Sequence, residues 1–228
     1  MQINSKDLSH KRVLGVAIPI VLANATIPIL GAVDTAVVGQ LGLAVPIGAV
    51  GIGAIIITAI YWLFGFLRMG TTGLTAQAIG SGDKPETSAL LVRGVIIGFT
   101  AGLILIIAQV PIFLGALQLS PASMEVESLA QKYLQIRVYS APAAIALFGI
   151  TGWLIAKEKT RAVLLLQLVL NGINIALDLV FVLKLGWGVE GVAIATLIAE
   201  WSGLIFGLWL AREGFNNGYW KNWLQIFD

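Results

Sequence analysis

The sequence contains no cysteine, a single histidine and few charged residues. Without cysteine there is no disulfide and no thiol chemistry, and His10 alone cannot form a His/Cys metal cluster. Charged residues make up 11% of the chain, whereas soluble globular domains contain about 25%. We therefore expect a membrane protein with no resident metal and no cofactor.

Long apolar runs occupy most of the chain, and 58% of its residues are hydrophobic. Six runs reach the roughly 20 residues that a transmembrane helix needs. They lie near 13–38, 47–68, 88–115, 133–156, 162–183 and 188–211. Because the runs are continuous rather than alternating, they predict helices, not barrel strands. The fold class predicted is all-α, a polytopic membrane protein with six transmembrane helices.

The segments between and around the spans complete the predicted organisation. Residues 69–83 extend the second helix to a Gly/Ser turn, and residues 121–132 form a separate short amphipathic piece. We divide the chain into a cytoplasmic leader (1–12), a six-helix transmembrane lobe (13–212) and a cytoplasmic tail (213–228).

The distribution of basic residues predicts the orientation. If the amino terminus is inside, eleven of the 14 lysines and arginines lie on inner segments, and Lys132, Arg137 and Lys184 lie outside. Such a bias predicts that both termini are cytoplasmic. Arg137 is then expected at the outer interface, where its side chain can reach toward water.

Three carboxylates lie inside the apolar runs: Asp34, Asp178 and Glu200. An ionisable side chain at membrane depth costs about 2.5–3.5 kcal/mol on insertion scales, so such residues are usually functional. We interpret the three as candidates for binding a proton or another cation. The alternative is structural: each could pair with a hydroxyl or amide group and fix the register of the bundle.

Helical spacing places further polar residues beside these carboxylates. On the fifth span Gln167, Asn171, Asn174 and Asp178 follow the i, i+4, i+7, i+11 pattern of one helix face, which must face protein or water rather than lipid. Asp34 and Asp178 also fall at matching depth in the outer half of their spans. This predicts a shared cavity that opens toward the exterior, with Asn174 at the coupling site and Gln167 and Asn171 in its lining.

Five segments are similar to the multidrug and toxic compound extrusion (MATE) transporters, and to their DNA-damage-inducible F branch in particular. The segments are residues 14–19 (LGVAIP), 28–39 (PILGAVDTAVVG), 66–77 (FLRMGTTGLTAQ), 171–178 (NGINIALD) and 188–200 (GVEGVAIATLIAE). The resemblance runs through most of the chain in the same order. It corresponds to one six-helix lobe, whereas family members have two, and residues 213–228 resemble the start of the linker between lobes.

The resemblance implies an antiporter that uses a proton or sodium gradient to export amphipathic or cationic drugs across the cell (inner or plasma) membrane. It implies coupling roles for Asp34, Asn174 and Asp178, and a hinge at Pro19. Glu200 is a further coupling candidate, and Asn24 and Thr35 on the first span are candidates for the cavity lining. The expected partners are the lipid bilayer, small substrates and a second six-helix lobe, with no nucleic acid.

Three other functions remain open at this point. A lipid-linked oligosaccharide flippase of the same superfamily would need a more cationic site than this sequence offers. An intramembrane aspartyl protease could use Asp34 and Asp178 as a dyad, but the Tyr-Asp and Gly-x-Gly-Asp patterns of those enzymes are missing. The half length also fits an inactive or partner-dependent fragment. We expect a transporter rather than an enzyme.

Overall fold

A computed structural model describes residues 10–120 and 122–216, and this part of the chain is helical with short connections. The α-helices are α1 (His10–Gly39), α2 (Ala44–Trp62), α3 (Gly65–Ser81), α4 (Lys84–Ile107), α5 (Gln109–Gln118), α6 (Met124–Arg137), α7 (Ala141–Ala156), α8 (Thr160–Asp178), α9 (Gly188–Leu210) and α10 (Glu213–Asn216). A 3-10 turn, Val138–Ser140, joins α6 to α7, and a π-helical turn, Leu179–Lys184, follows α8. Most of the predicted leader and tail lies outside the described residues.

Six stretches within the described ranges are long and apolar enough to cross a membrane. They are Val13–Gly39, Ala44–Ser81, Lys84–Ile107, Met124–Ala156, Thr160–Lys184 and Gly188–Leu210. This confirms the all-α class and the six spans. The domain boundaries at 12/13 and 212/213 stay a prediction.

Two of the predicted span boundaries are wrong. The segment from Met124 is not a separate piece but the first part of the fourth span, because buried Ala130 and Leu134 pack it into the core. The third span ends at Ile107 rather than at residue 115. Pro111 has no N–H to donate to the carbonyl of Ile107, so the helix is interrupted and α5 begins anew.

The turn between α3 and α4 forms as the sequence predicts. Gly82 adopts a left-handed conformation (φ 78°), which glycine accepts without steric cost and which ends α3. Asp83 then caps α4, its carboxylate accepting a hydrogen bond from the N–H of Glu86 at 2.9 Å. The second helix therefore extends past its apolar run before the chain turns back.

Helices α4 and α7 form the closest pair in the described bundle. A Cβ atom added at Gly98 would lie 2.6 Å from the backbone nitrogen of Ala146, and one at Gly102 would lie 2.2 Å from that of Pro142. Only glycine permits this approach, which is how membrane helices gain van der Waals contact. This pair is closely packed, whereas α1 packs mainly on α8 and leaves most of its surface exposed.

Candidate functional site

Two aspartates from different helices meet near the ends of α1 and α8. Asp34 is 8% exposed and Asp178 is fully buried. Their carboxyl groups both lie within hydrogen-bonding distance of one amide nitrogen, that of Asn174. Two carboxylates held this close repel each other when both are ionised, which favours the binding of a proton or another cation between them. We call these two residues the acid pair.

An asparagine amide connects the two members of the acid pair. The Nδ2 of Asn174 donates to Asp34 Oδ1 at 3.0 Å and to Asp178 Oδ2 at 3.3 Å. The amide oxygen points the other way and accepts from the hydroxyl of Thr196 on α9 at 3.0 Å. The opposite amide orientation would set its oxygen against two carboxyl oxygens, so the donor orientation is the one that satisfies both ends.

One acceptor of this group remains open. Asp178 Oδ1 is buried and accepts no hydrogen bond from the residues that the structure describes. An unsatisfied buried carboxyl oxygen is costly and is typical of a position that takes up a proton, a cation or a substrate group. Asp34, Asn174, Asp178 and Thr196 therefore form a polar site with one free position, and we call it the acid cluster.

A buried ion pair lies beside the acid cluster. The guanidinium of Arg137 donates from Nη1 to Glu200 Oε2 at 3.0 Å and from Nη2 to Glu200 Oε1 at 3.1 Å. Nη1 also donates to the hydroxyl of Ser140 at 2.7 Å. The parallel two-bond geometry is the strongest form of an arginine–carboxylate contact.

This ion pair bears on the predicted position of Arg137 and on the predicted role of Glu200. The prediction that Arg137 lies at the outer interface is wrong, since the side chain is 7% exposed. The fourth span begins at Met124, so Arg137 lies thirteen residues inside it and must find its counter-charge within the bundle. Glu200 supplies that charge. Its predicted coupling role stays a prediction, but both of its carboxylate oxygens bind Arg137.

Two tyrosines enclose the ion pair. The hydroxyl of Tyr61 on α2 donates to the carbonyl of Arg137 at 3.2 Å and lies 3.3 Å from the hydroxyl of Ser140. Tyr133 is 2% exposed and lies one turn before Arg137 on α6. These contacts hold the guanidinium in one position.

The remaining polar residues of α8 bind protein rather than an open cavity. The Nε2 of Gln167 donates to Asn171 Oδ1 at 2.9 Å, and the Nδ2 of Asn171 donates to the carbonyl of Thr26 at 3.3 Å. That carbonyl belongs to the backbone of α1. The two residues therefore tie α8 to α1, and their predicted place in a substrate cavity stays a prediction.

The first span carries the other sequence-predicted residues. Asn24 and Thr35 are exposed, and the hydroxyl of Thr35 donates to the carbonyl of Gly31 at 2.8 Å. Neither is enclosed by the described part of this lobe. Pro19 is buried inside α1 and has no N–H for the carbonyl of Gly15, so the helix lacks one internal hydrogen bond there.

Sequence reasoning missed Arg137, Thr196 and Tyr133 as members of this region. A signal for Arg137 was available, because an arginine inside a span requires a carboxylate partner. Glu200 was the intramembrane carboxylate to which no partner had been assigned. Thr196 was on the same predicted face as Glu200 and could have been added. Nothing in the sequence singled out Tyr133 from the other aromatic residues.

A cavity lies at the end of the bundle opposite to the acid cluster. It measures about 660 Å³ and lies between the α3–α4 turn, the α7–α8 turn and α10, with Lys84, Trp153 and Glu213 in its wall. Asp178 is 18 residues along α8 from Thr160, a rise of about 27 Å at 1.5 Å per residue, so this cavity is remote from the acid cluster.

A carboxylate clamp closes one side of that cavity. The two oxygens of Glu213 contact the ammonium groups of Lys157 and Lys159, each at 2.5 Å, and join α10 to the α7–α8 turn. Partial burial alone would raise the pKa of Glu213, but hydrogen bonds and charge attraction from the two lysines outweigh it and hold that pKa below its usual value. The clamp therefore stabilises the fold when the carboxylate is ionised.

Acidification is expected to remove the stabilisation that Glu213 provides. A group with a lowered folded-state pKa contributes above its unfolded value and loses its contribution as the pH falls through the folded value. The Glu213→Gln variant should melt below wild type at pH 7 and approach it below about pH 4. Thermal unfolding followed by tryptophan fluorescence at both pH values measures this. An equal difference at both would show that Glu213 acts by packing instead.

Comparison with known proteins assigns the fold to a family. Residues 19–180 match the MatE family model. The chain is 39% identical over 205 residues to "DNA damage-inducible protein F" of Escherichia coli (strain K12), covering 90% of this chain and 45% of that protein. It is 28% identical over 234 residues to "Protein DETOXIFICATION 44, chloroplastic" of Arabidopsis thaliana, with 92% and 44% covered.

Solved structures show the same architecture. A MOP superfamily transporter from Pyrococcus furiosus superimposes with a TM-score of 0.81 at 25% identity, covering 90% of this chain and 45% of that one. The chain thus spans about half the length of the relatives that it matches. With the family model matched over most of the described residues and the helices superimposing on such a transporter, the chain belongs to the MatE family of multi-pass membrane transporters.

Proposed function

We propose that this chain is the amino-terminal lobe of a cation-coupled antiporter that exports amphipathic or cationic compounds. The carrying observation is the acid cluster, in which Asp34 of α1 and Asp178 of α8 share one amide donor, the Nδ2 of Asn174. Such a site changes its charge when it gains or loses a proton or another cation. The names of relatives point to detoxification, and the MatE match covers Asp34, Asn174 and Asp178 of the cluster.

The acid cluster couples cation binding to the shape of α1. When the pair is doubly ionised, Asp34 and Asp178 repel each other, which loosens α1 from α8. When a proton joins them, the two helices are tied. Pro19 provides the point where α1 can bend, because the helix already lacks a hydrogen bond there. One proton entering down the membrane potential supplies about 2.3 kcal/mol per 100 mV for this work.

A second six-helix lobe completes the pathway in this proposal. The relatives are about twice as long as this chain, and α1 leaves most of its surface, with Asn24 and Thr35, unburied. Polar groups in that position are costly against lipid and favourable against a water-filled cavity. The second lobe would form the opposite wall.

The distribution of basic residues supports an orientation in which both termini lie in the cytoplasm. The membrane in this proposal is the inner membrane of the cell. Since the chain has no native cysteine, one introduced cysteine reports its side directly. Ser81→Cys at the end of α3 should be labelled by an impermeant maleimide only from the cytoplasmic side, and Leu185→Cys only from the outside. The reverse pattern would overturn the orientation.

The alternative functions are not favoured by the site. Members of this family are transporters, so the aspartyl protease interpretation is wrong although the two aspartates do meet. A flippase for lipid-linked anions would need an available cation. Arg137 is buried in the lobe, and its charge is already paired with the carboxylate of Glu200.

Transport by vesicles tests the proposal. This chain is expressed alone and together with the carboxyl-terminal half of the Escherichia coli relative, and efflux of ethidium is driven by a pH or sodium gradient. Efflux by the pair that stops on adding an uncoupler or sodium ionophore is expected, with little efflux by the lone chain. Robust coupled efflux by the lone chain would overturn the half-transporter proposal, and no efflux by a correctly inserted pair would overturn the function.

A further inference from the structure

The cavity between the α3–α4 turn, the α7–α8 turn and α10 has a partly apolar wall that no described residue covers. Ile79 of α3 belongs to this wall and is 42% exposed, and Ala78 and Ala156 belong to it as well. Trp153 is also part of the wall, and its indole N–H donates to the carbonyl of Thr87 at 2.8 Å. The volume of about 660 Å³ lies within the range of about 300–1,000 Å³ that encloses a drug-sized molecule. We call it the α10 cavity.

Helix α10 fixes the point at which the chain leaves the described structure. A Cβ atom added at Gly214 would lie 3.0 Å from Cζ2 of Trp153, so α10 packs closely on the aromatic ring. The carboxylate of Glu213 ties the same helix to the α7–α8 turn through two lysines. Asn216 is the last described residue and belongs to the cavity wall. Residue 217 is therefore joined directly to the wall of the α10 cavity.

The twelve residues that follow Asn216 have an apolar pattern of their own. Their sequence is NGYWKNWLQIFD, and positions 221, 222, 225 and 228 are polar. The i, i+3, i+4, i+7 spacing that is typical of one apolar helix face is followed by Trp220, Trp223, Leu224 and Phe227. Such a short helix is only marginally stable alone in water, so its apolar face needs another apolar surface to pack on.

We propose that the 217–228 segment folds back over the α10 cavity and places Trp220 and Trp223 inside it. Trp220 follows Asn216 by four residues, so even an extended chain keeps it within about 14 Å of the wall. A short tether of this kind gives the segment an effective concentration at the cavity in about the millimolar range. Each buried aromatic ring removes about 150–250 Å² from water. The two rings would cover the exposed side chain of Ile79 and close the cavity to solvent.

The cavity is a better partner for this apolar face than a lipid surface or a second copy of the chain. Docking in the cavity covers the face of the segment and the exposed wall in one step. On a lipid surface the segment would leave Ile79 and the rest of the wall uncovered. The proposal goes beyond the proposed function, because it concerns the end of the bundle remote from the acid cluster and requires no transport.

Maleimide labelling of the whole chain in detergent tests the proposal, because the sequence contains no cysteine of its own. The probes are Ile79→Cys on α3 and Ala156→Cys on α7, each introduced alone. Each probe should react at least about tenfold more slowly than Arg161→Cys, an exposed position outside the cavity wall. Adding Trp220→Gln and Trp223→Gln should raise the rates of both probes at least about tenfold, since burial of one aromatic ring corresponds to at least such a factor.

The matched control changes the other face of the same segment. Lys221→Ala with Gln225→Ala alters two polar positions and keeps all the aromatic residues. This variant should leave the labelling rates of both probes unchanged, because the proposed contact uses only the apolar face. The Arg161→Cys rate should be the same in every background.

Rapid labelling of the probes in the otherwise unchanged chain would overturn the proposal, and so would protection that survives the loss of both tryptophans. Protection that requires lipid vesicles would assign the segment to the lipid surface, and protection that falls on dilution would assign it to a second copy. Either result would overturn docking in the cavity. The two probes lie on different helices, so each reports by itself if the other variant does not fold. Labelling contains no transport step, so failure of efflux in vesicles and failure of this proposal are separate results.

Discussion

Replacing Asp34 with Asn is expected to reduce gradient-coupled efflux by the paired chain to the level of vesicles without the protein. The amide side chain fills the same space and can still accept the hydrogen bond that Asn174 donates to Asp34 Oδ1 at 3.0 Å. It cannot bind or release a proton, so the charge of the acid cluster no longer follows the gradient. Insertion and folding should be intact, because the substitution removes a buried ionisable group and leaves its main contact in place.

The measurement is ethidium efflux at equal protein content, with the melting temperature as the check on folding. Glu190→Gln is the matched control, because it also removes one carboxylate from a span. Glu190 lies in the first turn of α9, where it is exposed and its Oε1 is 3.8 Å from the Nζ of Lys132. That variant should pump like wild type. An Asp34→Asn chain that pumps normally would show that the acid pair is structural and that coupling occurs elsewhere.

The spans and the acid face could be predicted from the sequence because both depend on local patterns. Apolar runs of about 20 residues identify membrane helices whatever their neighbours, and the 3.6-residue period alone sets Asn174 and Asp178 on one side of α8. Matching depth then brings Asp34 beside Asp178. Each of these steps needs only the position of a residue within its own helix.

The ion pair could not be predicted in the same way, because it depends on how two distant helices pack. Arg137 and Glu200 are separated by 63 positions, and their contact requires α6 to continue into the fourth span. A short amphipathic piece and a membrane helix differ little in sequence when the helix carries as few apolar residues as α6. The burial of Ala130, Tyr133 and Leu134 decides between them, and burial is a tertiary property.

The contact between Asn171 and α1 also depends on how distant helices pack, so the sequence does not predict it. Its acceptor is the backbone carbonyl of Thr26, a group that every residue possesses and that no side-chain pattern marks. From the sequence, an inward-facing asparagine on α8 can equally line a cavity or bind a neighbouring helix. The structure assigns Asn171 to the second role in this conformation, which means that movement of α1 must break or carry this hydrogen bond.

Removing one partner of the Arg137–Glu200 pair is expected to destabilise the lobe far more than removing both. Arg137→Ala leaves Glu200 buried without a counter-charge, and breaking a buried pair in this way costs about 3–5 kcal/mol. Glu200→Ala leaves the guanidinium in the same state. The double variant Arg137→Met/Glu200→Met fills the space with flexible apolar side chains, and such replacements are often neutral or stabilising.

Chemical and thermal unfolding of the three variants in detergent, followed by tryptophan fluorescence, forms a double-mutant cycle. Both single variants should lose most of the stability of the lobe, and the double variant should recover most of that loss. Lys132 and its exposed partner Glu190 join the same two helices and provide a control. The Lys132→Ala variant should change stability by only about 0–1 kcal/mol. Additive losses would show that Arg137 and Glu200 stabilise the fold independently. A recovered double variant would show that the fold requires each charge only because the other is present, since a buried ion is costly when its partner is removed.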